Sequence, residues 1–142
     1  MTHRTEVPVT WADTDAGGLI YYPRFFDFFV VGLNDYFAPA FDGAHPMESL
    51  RTRGITLPAV DASASFSAPL RAGDVAVVET TVRSVGETSL TLGFDVERAG
   101  DGRRVAEGEV TFVLVDERFE PTPVPEPVRE CVRSRGDAGA LE

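Results

Sequence analysis

Apolar residues follow two different periods along the chain, which separates one predicted helix from several predicted strands. Over residues 5–11 apolar and polar residues alternate, which predicts a first strand, and Pro8 within it is typical of a strand at a sheet edge. After residue 56 the period of two returns and predicts four further strands. The last three should form an antiparallel meander, because turn-forming residues separate the strands at 71–74, 85–88 and 99–103.

One long helix is predicted between the first strand and the others. Over residues 23–37 apolar residues, many of them phenylalanine, recur at spacings of three and four. Pro23 suits the first turn of a helix, because the N–H that proline lacks would be unpaired there. A helix with so narrow a polar stripe is normally enclosed by other elements. We therefore expect an α+β domain in which a five-stranded antiparallel sheet wraps around one long apolar helix.

The chain changes character after about residue 120. Prolines occupy every second position from 121 to 127, and a charged segment of small residues follows. This composition favours a peripheral, partly disordered arm over residues 121–142. The predicted folded domain therefore spans residues 1–120, and it includes a second short helix over residues 45–53.

Composition limits the possible functions. The formal net charge is −10, which argues against a nucleic-acid partner, and all 13 basic residues are arginine. The absence of lysine excludes Walker A and Schiff-base chemistry. A single cysteine, Cys131, excludes an internal disulfide framework and a cysteine-based zinc cluster. No apolar run is long enough for a membrane span and the N-terminus lacks a signal-peptide pattern, so we expect a cytoplasmic protein.

The segment 11–23 carries the candidate chemistry. Asp13 and Asp15 lie between the first strand and the helix, and Gly17 and Gly18 follow, where the backbone can turn tightly or approach a ligand. The helix start supplies unpaired N–H groups and the positive end of a dipole. A carboxylate that faces such donors suits acyl transfer, because the donors stabilise the oxyanion while the carboxylate attacks the carbonyl or activates water.

Spacing alone leaves two other interpretations of these aspartates open. An aspartate before a helix is often only a cap. Asp-x-Asp after a strand is also found in haloacid-dehalogenase phosphatases, where paired aspartates can hold magnesium. That fold needs a parallel sheet and usually a lysine, and the sequence predicts neither.

The motif as a whole resembles a known family. Asp13-Thr-Asp-Ala-Gly-Gly18, followed by Leu-Ile-Tyr-Tyr-Pro23 and an aromatic helix, closely resembles the 4-hydroxybenzoyl-CoA thioesterase group of the hot-dog superfamily, including its YbgC-like members. The resemblance covers residues 7–116. It implies a hot-dog fold and hydrolysis of an acyl-CoA thioester to a free acid, with CoA as part of the substrate and neither cofactor nor metal.

The resemblance also implies roles for single residues. Asp15 matches the catalytic carboxylate, as nucleophile or general base, and Asp13 matches a residue that supports the turn. Gly18 matches the glycine before the helix. Tyr22 matches the residue whose backbone N–H polarises the thioester carbonyl, at a position where many YbgC-like members carry histidine. An aromatic or medium-length apolar acyl group is expected to lie against a set of substrate-binding residues: Asp13, Tyr21, Phe25, Phe26 and Phe29.

Phosphate-binding residues are less clearly indicated. Family members that use CoA often carry arginine or lysine between the middle strands, but residues 85–88 include no positive charge. Arg83, Arg103 and Arg104 are the remaining CoA-binding candidates, with ordinary solvated surface as the alternative. An acyl carrier protein of polyketide biosynthesis is therefore an alternative thioester donor. A chain with a charge of −10 would nevertheless repel an acidic carrier protein, which favours CoA.

The predicted sheet also bears on assembly, and the motif leaves two rival functions open. One such sheet leaves a strand edge uncovered, so we expect a homodimer or a homotetramer built as a dimer of dimers. A non-catalytic acyl-binding module is one rival function. A hot-dog dehydratase is the other, and it would need a histidine beside its acid, whereas His3 and His45 are far from the motif in sequence.

Overall fold

Five strands form one antiparallel sheet in the computed structural model, which describes residues 3–141. In chain order the strands are β1 (His3–Pro8), β2 (Ala59–Phe66), β3 (Val75–Val85), β4 (Ser89–Arg98) and β5 (Arg104–Val113). The helices are α1 (Arg24–Phe37), α2 (Pro46–Thr52) and α3 (Glu126–Ser134). The strands lie in the order β1-β3-β4-β5-β2, so β3, β4 and β5 form the predicted meander and β1 and β2 form the edges. The α+β prediction is confirmed.

Helix α1 packs against the inner face of the sheet. Pro23 is its N-cap residue, and one side of the helix is buried: Phe25, Phe28, Phe29, Gly32, Leu33, Tyr36 and Phe37. A Cβ atom on Gly32 would lie 2.5 Å from Thr80 Oγ1 and 2.9 Å from Val78 Cγ1, so glycine is what lets the helix approach β3 so closely. Within residues 3–141 no helix is long and apolar enough to cross a membrane.

The first strand is shorter than predicted. It ends at Pro8, and Thr10 and Asp13 form a capping box that starts a 3-10 turn over Trp11–Asp13. The chain therefore leaves the sheet before Trp11, whose side chain is 86% exposed. The alternating strand predicted over residues 5–11 therefore stops short of Trp11, whereas Val7 does pack against the core.

The segment 121–141 packs onto the core, which corrects the predicted arm and the domain boundary at residue 120. Pro121 bridges to Val115, and the side chains on one face of α3 are buried: Val128, Cys131 and Val132. Their spacing of three and four residues is that of an amphipathic helix. This face covers the C-terminal end of α1, where Cys131 Sγ lies 3.4 Å from the Tyr36 carbonyl oxygen.

Candidate active site

A short hairpin before α1 places Asp15 at its turn. Thr14 and Ile20 form an isolated antiparallel bridge, and the Asp15 N–H donates to the Leu19 carbonyl at 3.0 Å. The Gly18 N–H closes the turn on the Asp15 carbonyl at 3.0 Å. Gly18 has φ +77°, a left-handed conformation that glycine adopts without steric cost, and a Cβ there would meet no atom within 4 Å. Gly18 is therefore needed for the turn itself rather than to make room for a neighbour.

The two aspartates of the motif have different surroundings. Asp13 Oδ2 accepts hydrogen bonds from the Thr10 N–H at 2.8 Å and the Thr10 hydroxyl at 3.0 Å. Asp15 is exposed, and its Oδ1 accepts one hydrogen bond, from the Gly17 N–H at 2.8 Å. Its other carboxylate oxygen accepts none from residues 3–141. Asp13 is thus committed to the local fold, whereas Asp15 retains an oxygen that is free to react.

The start of α1 presents one unused backbone donor. The Tyr21 N–H donates to the Asp13 carbonyl at 2.8 Å, which joins the hairpin to the helix. The Arg24 and Phe25 N–H groups donate to the Tyr21 and Tyr22 carbonyls. The Tyr22 N–H finds no acceptor in the described part of the chain. An amide at this end of a helix carries part of its positive dipole and favours a negatively charged oxygen.

Arg24 braces the hairpin and was not among the residues predicted for the site. Its guanidinium Nη1 donates to Asp27 Oδ2 at 3.2 Å, Nη2 lies 3.5 Å from the Ala12 carbonyl, and Nε lies 3.8 Å from Asp13 Oδ1. A cation in the first turn of a helix opposes the helix dipole. An arginine at this unfavourable position indicates acidic partners nearby, which here are Asp13 and Asp27.

A cluster of four aromatic side chains connects the motif to β2. The Tyr22 ring lies 5.6 Å from that of Tyr21 and 6.0 Å from that of Phe66. Phe66 also stacks on Phe25 at 5.1 Å. Sequence reasoning missed Phe66, although a lone aromatic residue in a strand of alanine and serine was a visible signal. Phe25 is 2% exposed and packs in the core, and it does not line the cavity described next.

Phe26 and Phe29, two of the predicted substrate-binding residues, do line a cavity. It has a volume of about 250 Å³ and lies between α1 and the sheet. The other lining residues are Val30, Ala59, Ala62, Phe94, Val110 and Phe112. These residues come from α1 and three strands, so no local sequence pattern could have grouped them. We call this space the acyl cavity, after the acyl group that the family resemblance leads us to expect against Phe26 and Phe29.

Two of the three predicted CoA-binding arginines lie on the outer face of the sheet. Arg83 extends across Gly93, and its Nε lies 3.5 Å from Glu109 Oε2. Arg104 Nη1 lies 2.9 Å from Glu107 Oε2 and 3.3 Å from Asp95 Oδ1. The carboxylates on this face neutralise both guanidinium groups, and α1 is on the opposite face.

Arg103 and a residue not predicted, Arg71, lie at the same end of the molecule as Asp15. Arg71 directly follows Leu70, whose carbonyl accepts the Ile20 N–H at 2.8 Å. Arg103 lies in the β4–β5 turn, and Arg98 connects that turn to the same segment by donating to the Pro69 carbonyl at 2.8 Å. Neither Arg71 nor Arg103 forms an ion pair with any residue between 3 and 141. Arg71 was missed because its proximity to the motif depends on strand pairing.

The histidines are engaged elsewhere. His3 Nε2 lies 2.6 Å from Asp35 Oδ2, and His45 caps α2 by accepting the Glu48 N–H at 3.2 Å. Neither makes a contact with the Asp15 hairpin. The histidine that a hot-dog dehydratase would need beside its acid is therefore missing from the described part of this site.

Comparisons with known proteins agree with this fold. A model of the thioesterase-like superfamily matches residues 9–132. The putative acyl-CoA thioesterase YneP of Bacillus subtilis (strain 168) is 25% identical over 119 residues that cover 83% of each chain. A 1,4-dihydroxy-2-naphthoyl-CoA thioesterase from Synechocystis has a TM-score of 0.85 at 21% identity, over 94% of this chain and 96% of its own. A gentisyl-coenzyme A thioesterase has a TM-score of 0.79 at 25% identity, over 92% and 99%. The hot-dog fold implied by the sequence is confirmed.

Proposed function

The chain belongs to the thioesterase-like superfamily, and we propose that it hydrolyses an acyl-CoA thioester to a free carboxylic acid and CoA. One observation carries this proposal. A single hairpin–helix unit holds a carboxylate with a free oxygen, on Asp15, and an unused backbone donor, the Tyr22 N–H. These are the two groups that hydrolysis of a thioester needs, because one supplies or activates the nucleophile and the other stabilises the oxyanion.

The chemistry at this site can follow either of two routes. In both, the thioester carbonyl oxygen accepts the Tyr22 N–H, and the positive end of the α1 dipole stabilises the charge that develops on that oxygen. In the first route Asp15 attacks the carbonyl carbon, CoA leaves as a thiolate, and water hydrolyses the resulting acyl anhydride. In the second, Asp15 takes a proton from the water that attacks the carbonyl carbon, and CoA leaves as a thiolate when the C–S bond breaks. Gly17 fixes one Asp15 oxygen in each case and leaves the other toward solvent.

The arginines support CoA as the thioester carrier. CoA brings phosphates, which need cations that are not already paired. Arg71 and Arg103 meet this condition at the end of the molecule that holds Asp15, whereas Arg83 and Arg104 are paired on the outer sheet face. We therefore propose Arg71 and Arg103 for the nucleotide phosphates. An acyl carrier protein remains the alternative carrier.

We propose that the chain assembles as a homodimer through β2, with a tetramer as a further step. Strand β2 is an edge strand, and it carries two partly exposed apolar side chains, Val60 at 60% and Phe66 at 46% exposure. Unpaired strand edges with apolar side chains are usually covered. Light scattering of the purified protein tests this assembly, and a monomer at micromolar concentration would contradict it.

The proposed function is tested by replacing Asp15 and measuring CoA release from a panel of acyl-CoA thioesters with a thiol-reactive chromogen. Asp15→Asn should lower kcat/KM by about 10²–10⁴-fold, the usual range for a positioned acid–base group, and leave the melting temperature unchanged. Asp13→Asn is the matched control, and it should reduce activity less because Asp13 supports the turn.

Two results would contradict the assignment. Near-native hydrolysis by the Asp15→Asn protein would remove Asp15 from the mechanism. Binding of acyl-CoA to the native protein without any thiol release would instead favour a non-catalytic acyl-binding module.

A further inference from the structure

We infer that this enzyme prefers acyl groups that carry no hydroxyl or charged substituent at the end remote from the thioester. The inference concerns the acyl cavity and rests on the proposed function, because it assigns the cavity to the substrate of that reaction. Three features of the cavity support the inference: its lining, its position along α1 from the Tyr22 N–H, and its size.

Within residues 3–141, the lining offers no side-chain hydrogen-bonding partner. Its eight residues are all aliphatic or aromatic, and three form a buried floor, with Phe29 and Phe94 each 1% exposed and Val110 6% exposed. The Phe29 and Phe94 rings stack with centroids 4.6 Å apart and planes 6° apart. The backbone groups of β4 and β5 beneath the cavity pair with each other in the sheet ladder. A polar substituent that reached this floor would therefore lose its hydrogen bonds to water without replacement.

The cavity and the site of the chemistry lie along the same stretch of α1 and β2. Phe26 and Val30 are four residues apart on α1, share one face of the helix and line the cavity. Tyr22 directly precedes the N-cap residue of α1, and its ring lies 6.0 Å from that of Phe66. On β2, Phe66 and Ala62 point to the same side, and Ala62 lines the cavity. A thioester carbonyl bound to the Tyr22 N–H would thus place its acyl group one to two helical turns along this groove.

The size of the cavity selects an acyl group of moderate length. Its volume of about 250 Å³ holds about eight non-hydrogen atoms if each takes the ~30 Å³ of a liquid water molecule. A phenylacetyl group or a medium-length straight chain matches that number. Phe26 faces Phe29 edge-on at 5.5 Å, so an aromatic ring can join an existing aromatic cluster.

A matched set of substrates tests the inference. Phenylacetyl-CoA, its 4-methyl derivative and its 4-hydroxy derivative share a methylene group that insulates the thioester from the ring substituent. We expect the first two to have kcat/KM values within a few-fold of each other. The 4-hydroxy compound should be about 10- to 100-fold slower, the range by which apolar pockets discriminate against an added hydroxyl.

Two variants connect this preference to the cavity. Val110→Thr and Ala62→Ser each add a hydroxyl to the lining and should narrow the difference between the 4-methyl and 4-hydroxy substrates several-fold. Val110 is buried, so Val110→Thr can impair folding. Ala62 is exposed at the rim of the cavity, and Ala62→Ser therefore tests the inference independently of folding. Val31→Thr is the control, because Val31 is 43% exposed on α1 and does not line the cavity. Val31→Thr should leave the ratio of kcat/KM between the 4-methyl and 4-hydroxy substrates unchanged.

The outcomes separate this inference from the proposed function. If no thioester in the set is hydrolysed, the proposed function fails. If hydrolysis occurs but the 4-hydroxy and 4-methyl substrates have equal kcat/KM values, the inference fails and the proposed function stands. Ala62→Phe should lower kcat/KM for phenylacetyl-CoA more than for acetyl-CoA. A changed association state with unchanged acyl preference would show instead that a second copy of the chain fills the cavity, which would overturn the inference.

Discussion

The two ends of α1 are built in opposite ways. At the C-terminal end the Tyr36 hydroxyl donates to Asp137 at 2.5 Å, the Val82 N–H reaches the same carboxylate at 3.3 Å, and α3 covers the helix. At the N-terminal end Tyr21 and Tyr22 are 50% and 61% exposed. The Tyr22 N–H and one Asp15 oxygen are unused there by the described residues.

This difference separates stability from chemistry along one helix. Polar groups at the closed C-terminal end satisfy one another, so their loss should lower the free energy of unfolding. Polar groups at the open N-terminal end remain available to a substrate, so their loss should lower turnover instead. The Asp15→Asn test already addresses the open end. The changes that follow test the comparison further.

Deletion of residues 121–142 should have the largest effect, because it uncovers the closed end. It removes Val124, Val128 and Val132, and a fully buried side chain of this size contributes about 1.5–3 kcal/mol. The combined loss is of the order of the whole stability of a domain, about 5–15 kcal/mol. We expect no cooperative thermal transition by circular dichroism. Trp11→Ser at the open end is the control and should melt like the native chain.

Tyr36→Phe should destabilise the fold and spare the chemistry. It removes a hydrogen bond to a buried carboxylate, which costs about 1.5–3 kcal/mol. Burial, with the Asp137 carboxylate beside it, raises the pKa of Tyr36, so the hydroxyl is a donor at all ordinary pH values. Urea unfolding measures the loss, and Tyr21→Phe at the open end should change stability by less than about 0.5 kcal/mol. Equal losses in the two variants would refute the difference between the ends.

Arg71→Gln should weaken CoA binding without affecting the fold. We expect KM for an acyl-CoA to rise about tenfold, the equivalent of about 1.4 kcal/mol, because one phosphate loses a cation. The same acyl group on pantetheine, which lacks the nucleotide, should show no change. Arg118→Gln is the control. Arg118 is exposed in the turn 116–120, which follows the end of β5. That end of β5 pairs with the start of β4, whereas Arg103 lies in the turn at the other end of these two strands. A rise in KM for both thioesters would show that Arg71 acts on something other than the phosphates.

Asp35→Asn should have the smallest effect on the free energy of unfolding, and that effect should depend on pH only in the acid range. Burial favours a higher pKa for Asp35, but hydrogen bonds from Thr5 and His3 outweigh it and hold the pKa below the ordinary 3.8. A lowered pKa stabilises the fold above the unfolded-state pKa, and the contribution disappears as pH falls through the folded value. The stability difference between native and Asp35→Asn proteins should therefore be under about 1 kcal/mol above pH 4 and shrink below it. Asp61→Asn, in an exposed strand position, should show no such trend.

The sequence predicted local elements well and non-local surfaces poorly. The periods of two and 3.6 placed β3, β4, β5 and α1 almost to the residue, because those elements bury one continuous face. The C-terminal segment was mispredicted because its prolines suggested disorder. Pro121 instead bridges to Val115, and Pro125 is the N-cap of α3. Spacing of Val124, Val128, Cys131 and Val132 was the overlooked signal.

The candidate site divided in the same way. Asp13, Asp15 and Tyr22 lie in one continuous motif and could be selected from the sequence together. Phe66 and Arg71 come near that motif only through the pairing of β2 and β3 with other strands, and the acyl cavity combines residues from four elements. Outer-face positions such as Arg83 could not be separated from site-facing ones, because the register of the sheet decides on which face a side chain lies.

The position of Cys131 makes the molecule its own folding probe. Its thiol is the only one in the chain, it is buried against the Tyr36 carbonyl, and burial raises its pKa. A chromogenic thiol reagent added to the native protein should therefore report CoA release with little background from the protein. When α3 detaches from α1, the same reagent should label one equivalent of thiol per chain. A single thiol assay can thus follow turnover at the open end of α1 and detachment of α3 at the closed end.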